Sequence, residues 1–375
     1  MYQPRYNRGM ISNIQVLRGL AALAVVLLHS EYKIFGVVST QFQGVSIFFV
    51  ISGFIVAYIT RGGMEDFMAR RVIRIVPIYW VVTVFAFFWL SLGQFDWVRQ
   101  SLYEPAQAGR QALNALHNDE SVINALRSMF FIPYRDSVSG DYGSFIYTGW
   151  TLNIEFFFYV LFAIFGLAGR RIAMIGVTIV FAALAWLHAS TQLEGPFVRF
   201  YGQQVSLYIV SGFVVYALWD KFGRAASLAP KGLIGGVAAV VGILLVMLNC
   251  AQLWYPSMGA SAPMMALYNL LPPLVVLAAL FLHSAGIQCK WRPLMILGDI
   301  SYVLYLCHVL VLTTMSRYAT TYPVLDYRAG ASGMLTALIL CCAVAWLLHV
   351  GVERPLLRFG KWLLDLRRRP TEVAA

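Results

Sequence analysis

Long apolar runs separated by short polar stretches dominate the chain. Ten of them, at about 12–31, 44–60, 76–93, 150–168, 172–190, 203–219, 232–250, 264–283, 294–316 and 331–351, approach or reach the roughly 20 residues that a helix needs to cross a bilayer. The seventh and eighth are the cleanest, the first and sixth the most polar. The first is short enough to resemble a signal sequence, but Leu28-His29-Ser30-Glu31-Tyr32 lacks a small-residue cleavage site, which favours a span. No fixed-period repeat or low-complexity tract interrupts the series. The pattern predicts an all-α integral membrane protein of about ten transmembrane helices, with one membrane domain over residues 1–358 and a basic cytoplasmic tail over 359–375.

With ten spans both termini share a side. Twenty of the 28 Lys and Arg residues fall on that side and eight on the other, which predicts an N-in, C-in topology because basic residues collect in cytoplasmic loops. One external connection, at about 94–149, is polar and too long for a simple connector, so it is expected to fold locally or to act. Within it the stretch 121–131 has the amphipathic pattern of a helix lying along the interface.

Composition narrows the function classes. The chain is 60% hydrophobic and 12% charged, whereas a soluble domain carries about 25% charged residues. That contrast excludes disorder and a nucleic-acid-binding surface built on charge. The net charge of +11 follows from the topology without an acidic polymer partner. None of Cys250, Cys289, Cys307, Cys341 and Cys342 forms a C-x-x-C pair, so apolar packing is their expected role. No His-Glu-x-x-His or similar spacing occurs, and no metal is expected.

Ionisable groups within spans are costly and therefore functional candidates. Arg18 and His29 are eleven positions apart on the first span, nearly three full turns, which places them on one face roughly 16 Å apart. Arg18 reads either as a snorkelling anchor or as a functional cation, and His29 as an interface residue or a base. Glu155, the only acidic residue deep in any span, falls about one and a half turns below the outer surface. That depth is close to the one expected for His29. It suits a carboxylate paired with an imidazole; the alternative is one paired with a structural arginine or held protonated. Arg70, Arg71 and Arg74, before Pro77 and Tyr79-Trp80, sit at the expected cytoplasmic lip of the third span. Their planar donor forks suit a phosphate-rich ligand, while topology and anionic lipid contact explain them as well. Ser301, Tyr305 and His308 share a helical face that reads as the lining of a polar cavity or as packing. His188, His283 and His349 read as interfacial, and His117 lies in the external connection.

These segments, in this order, resemble the membrane acyltransferase-3 family. Arg18-x10-His29 is similar to its opening motif, and Gly44-Val45-Ser46-Ile47-Phe48-Phe49-Val50-Ile51-Ser52-Gly53-Phe54 to its second-span signature. The arginine cluster with Pro77 and Tyr79-Trp80, the run Trp150-Thr151-Leu152 to Glu155, Ser301-Tyr302 to His308, and Val352-Glu353-Arg354-Pro355 follow. The resemblance covers about residues 11–358, and the wording is most similar to the bacterial exopolysaccharide-production members. Thr151 stands where the family commonly has Ser, which keeps the hydroxyl, and the esterase-like domain of some relatives has no counterpart here.

The resemblance implies an O-acyltransferase of the bacterial inner membrane. Such proteins move an acyl group, usually acetyl, from cytoplasmic acyl-coenzyme A to a hydroxyl of an envelope or exopolysaccharide sugar, free or lipid-linked. Acetyl-coenzyme A is then the donor, and membrane lipids surround the protein. In that reading Arg70, Arg71 and Arg74 hold coenzyme A phosphates, with Arg18 adding positive charge. His29 is general base or acyl carrier and Glu155 orients or balances it. Trp150, Ser301, Tyr302 and His308 line the acceptor pocket. Ten spans with buried charges also describe a permease for an acyl donor or lipid-linked glycan, although the chain shows no two similar halves. A membrane glycosyltransferase would need more deep carboxylates than one.

Overall fold

A computed structural model describes residues 11–30, 33–34, 37–38, 43–91, 119–135, 142–190, 195–254 and 262–368. Each apolar run corresponds to a helix long and apolar enough to cross a membrane, ten among the described residues. In chain order these are α1 (Ser12–His29), α2 (Gly44–Ile59), α3 (Phe67–Ser91), α5 (Gly149–Gly166), α6 (Arg170–Ser190), α8 (Leu207–Leu228), α9 (Lys231–Trp254), α10 (Ala262–Ser284), α11 (Arg292–Tyr318) and α12 (Ala331–Leu348). Two further helices, α4 (Asp119–Met129) and α7 (Pro196–Tyr201), lie in connections, and α13 (Arg354–Arg368) follows α12 through a π-helical turn at His349–Glu353. Among the described residues sheet is confined to two small antiparallel hairpins, β1 (Lys33–Ile34) with β2 (Val37–Val38) and β3 (Tyr134–Arg135) with β4 (Tyr142–Gly143). Most of the long connection at about 94–149, including His117, lies outside the described residues; its amphipathic stretch forms α4.

Three boundaries differ most from the sequence expectation, one of them the end of α8, which runs nine residues past 219 to Leu228. The third helix starts at Phe67, ahead of the arginine cluster, and runs through Pro77, so the three arginines stand on the helix itself. Membrane helices tolerate proline because neighbouring elements re-satisfy the carbonyl it leaves unbonded. The expected tail is helical as far as Arg368; its charged positions hid a helical periodicity from a search for apolar runs.

The chain divides into two interleaved units. The first comprises residues 1–63, 204–302 and 327–338. Its α2 and α8 cross backbone to backbone at Gly53 and Gly212, where a Cβ on Gly53 would overlap the Ile209 carbonyl oxygen and one on Gly212 that of Val50. Small residues allow such close crossings in bilayers, where packing rather than water drives helix association. Asn13 fastens the start of α1 to α10 and the α10–α11 connection: its amide donates to the carbonyls of Ile287 (2.8 Å) and Ala279 (3.2 Å), and its oxygen accepts from Cys289 N–H (2.9 Å).

The second unit comprises residues 64–203, 303–326 and 339–375. Its α5 and α6 form a hairpin whose turn carries Gly169 at φ +111°, a conformation that side chains resist. α4 is held to α3 by the Tyr79 and Ser128 hydroxyls (2.9 Å) and by Trp80 Nε1 donating to the Met129 carbonyl (2.8 Å). Phe131, beyond α4, stacks on Phe156 of α5 at 4.1 Å.

Candidate active site

In the first unit, α1 carries Arg18 and His29 on one unbroken helix. Both are half-buried. Arg18 donates to Gln15 Oε1 (3.4 Å), and Gln15 Nε2 donates to Asp299 Oδ1 of α11 (2.7 Å), so an amide links the guanidinium to a carboxylate. This contact exists because α1 and α11 meet at two glycines. A Cβ on Gly19 would stand 2.9 Å from Gly298 N, and one on Gly298 would overlap the Gln15 carbonyl oxygen. Arg18 is therefore tied into the protein, and Gln15 and Asp299 are partners that no motif reading singled out. Nearby on α11, Ser301 is fully buried and donates to the Gly298 carbonyl (2.7 Å), whereas Tyr302 is half-buried.

His29 ends α1. Its Nδ1 lies 3.0 Å from the Val25 carbonyl oxygen. A carbonyl only accepts, so Nδ1 carries a proton, and in the neutral ring Nε2 holds the lone pair. His308, fully buried on α11 in the second unit, has the same arrangement, with Nδ1 3.1 Å from the Leu304 carbonyl.

In the second unit the arginines of α3 separate. Arg70 and Arg74, four residues apart, are exposed on one face. Arg71 is only 9% exposed and lies against the rings of Tyr159 (5.1 Å) and Phe67 (5.9 Å). Tyr159 in turn donates from its hydroxyl to Glu155 Oε1 (2.5 Å). A cation, an aromatic ring and a carboxylate thus form a series, Arg71–Tyr159–Glu155, running between α3 and α5. Cation–π contact and a charged hydrogen bond both strengthen when desolvated.

One turn before Glu155, the Thr151 hydroxyl is 2.7 Å from that of Tyr305 on α11, and both lie within reach of the Thr148 carbonyl (2.9 and 3.4 Å). The hydroxyl kept by the Ser-to-Thr departure is used. Trp150 is half-buried. Asn153, two residues from Glu155, is fully buried, and neither atom of its carboxamide has a hydrogen-bond partner among the described residues. Such a group is expensive unless something else satisfies it. The sequence offered no cue to it, since burial and partner are tertiary facts. An apolar hollow of about 540 Å³ lies in the same unit, lined by Phe85 and Trp89 of α3, Cys307 and Leu310 of α11 and Val344 of α12, among others.

His349, just past the end of α12, is buried within the protein. Arg354 Nε donates to its Nε2 (3.0 Å), so its Nδ1 carries the proton toward Glu353 Oε2 (2.5 Å). The Glu353-Arg354 pair singled out by resemblance is thus a structural joint at the π turn. Among the described residues no three His, Cys, Asp or Glu side chains gather as a metal site requires.

Residues 11–350 match a family model described as an acyltransferase domain. The chain belongs to the acyltransferase-3 family. It is a multi-pass membrane O-acyltransferase. Among its relatives, the exopolysaccharide production protein ExoZ of Rhizobium meliloti (strain 1021) is 28% identical over 85% of this chain and 90% of its own length. Acyltransferase MdmB of Streptomyces mycarofaciens is 25% identical over 96% of this chain and 93% of its own. Nodulation protein 10 of Rhizobium leguminosarum bv. viciae is 26% identical over 72% of each. No solved structure matches.

Proposed function

We propose that this acyltransferase moves an acetyl group from cytoplasmic acetyl-coenzyme A to a hydroxyl of an envelope or exopolysaccharide sugar at the bacterial inner membrane. The observation that carries the proposal is the state of His29: the Val25 carbonyl fixes the Nδ1 proton and leaves Nε2 as the basic nitrogen at the end of a membrane helix. In the reaction Nε2 takes the proton of the sugar hydroxyl, and the oxygen attacks the thioester carbonyl. The C–S bond then breaks, and the departing coenzyme A thiolate recovers the proton from the imidazolium. A backbone carbonyl already orients the ring, so Glu155 has the role of balancing the imidazolium charge, with Tyr159 and Arg71 setting its own poise. Arg70 and Arg74, exposed and on one face, bind donor phosphates through paired donors. Arg18 adds positive charge along the path. Trp150, Ser301, Tyr302 and His308 serve the acceptor, and the apolar hollow suits the hydrocarbon of a lipid-linked acceptor. ExoZ, a relative over most of both chains, takes its name from exopolysaccharide production, which favours a glycan acceptor here.

Mass spectrometry of envelope and secreted glycans from a deletion strain tests the proposal. An acetyl group missing from one sugar position, and restored by the gene but not by its His29→Ala form, is the expected result. Glycans of unchanged acylation would overturn it.

A further inference from the structure

The helix that ends the described chain has three faces rather than two. Leu356, Leu357, Gly360 and Leu364 are buried or half-buried, and Gly360 abuts Ile73 of α3 so closely that a Cβ would overlap it. A second stripe, Phe359, Trp362, Leu363 and Leu366, has the i, i+3, i+4, i+7 spacing of one helix face, and each member is exposed. A third, Arg358, Lys361 and Asp365, is exposed and polar, with Arg354 in line one turn earlier. Lys and Arg outnumber acidic residues on α13 by five to one, the five being Arg354, Arg358, Lys361, Arg367 and Arg368 against Asp365.

The length of the run places this helix. The stretch Ala331–Leu366 is helical over 36 residues, about 54 Å at 1.5 Å per residue, and a bilayer core accommodates about 30 Å. The continuation beyond the π turn therefore leaves the hydrocarbon. Its contact with Ile73, near the start of α3, sets it beside that end of the helix. A water-exposed helix would not present Phe359, Trp362, Leu363 and Leu366 together, and a lipid-immersed one would not present Arg358 and Lys361. The two stripes are compatible at the headgroup level, where aromatic and aliphatic side chains enter the acyl boundary and cations meet phosphates.

We propose that α13 is a membrane-surface anchor that binds anionic lipid headgroups, with Phe359, Trp362, Leu363 and Leu366 inserted and Arg358 and Lys361 on the phosphates. The charge excess commits the surface to anionic lipid rather than to zwitterionic lipid or a second copy. The buried joint His349–Glu353–Arg354 satisfies its own charges and fixes where the anchor leaves the span.

The test is hydrogen–deuterium exchange of the full-length protein in nanodiscs of phosphatidylcholine alone or mixed with phosphatidylglycerol. Residues 354–368 are expected to exchange about tenfold more slowly in the anionic discs, since each surface cation contributes to such binding, and high salt should remove the difference. The double charge reversal R358E/K361E should abolish it while exchange in α3 and α5 stays unchanged. If that variant fails to fold, the lipid and salt comparison on the unmodified protein decides alone. Equal exchange in both disc types would overturn the proposal. So would protection that follows the number of protein copies per disc instead of lipid charge, which would assign the stripe to a second copy.

Discussion

Two histidines of this chain are held in the same way, each Nδ1 bonded to the carbonyl four residues earlier, yet they stand in different settings. His308 is fully buried, whereas His29 is half-buried at a helix end. The sequence supplied both imidazoles and Glu155 but not the groups that condition them. Tyr159 is invisible as a site residue because it reads as one more aromatic in an apolar run; its value comes from lying between Arg71 and Glu155. Tyr159→Phe keeps the ring over Arg71 and removes the donor to Glu155. A hydrogen bond to a charged group is worth about 1.5–3 kcal/mol of stability, so turnover is expected to fall about ten- to a hundredfold and the thermal midpoint to fall as well. Unchanged turnover would remove Glu155 from the mechanism as drawn. The arginines also part company: Arg70→Ala and Arg74→Ala should raise the donor KM with kcat nearly intact. Arg71→Ala, which empties a stacked and buried position, should lower kcat and folded yield instead. Lysine at 71 should rescue only partly, since it lacks the planar face that stacks on an aromatic ring. Steady-state kinetics with acetyl-coenzyme A varied separates the two classes.

At the scale of elements, all ten spanning helices were legible, because about 20 apolar residues is a demanding pattern with few other solutions. What was hidden followed from context. The third apolar run begins at about 76, yet α3 starts at Phe67 and carries Pro77 inside it, and α13 looked like a charged tail. The close crossings were equally silent, since a glycine in an apolar run does not disclose what it faces. Gly53 faces the Ile209 carbonyl of α8. Gly53→Ala should therefore force α2 and α8 apart at a cost of about 1–3 kcal/mol, the range for overpacking. Its thermal midpoint in detergent should fall, while Gly242→Ala on α9, where an added Cβ meets nothing, should leave it unchanged or slightly raised. Equal midpoints for both would mean that the α2–α8 crossing yields without strain.

For the whole molecule, the order of the motifs along the chain identified the family before any geometry was known, and residues 11–350 bear that out. Spacing alone was not enough for the site, because residues on different helices are brought together only by packing. The central claim is acyl transfer with His29 as the base, and it is tested most directly by purified protein in proteoliposomes given labelled acetyl-coenzyme A and the acceptor glycan. The account predicts labelled glycan ester from the unmodified protein, and a rate lower by about 10²–10⁴-fold for His29→Ala, the usual worth of a positioned base. Label that enters the vesicles without esterifying any glycan, or full activity in His29→Ala, would contradict it.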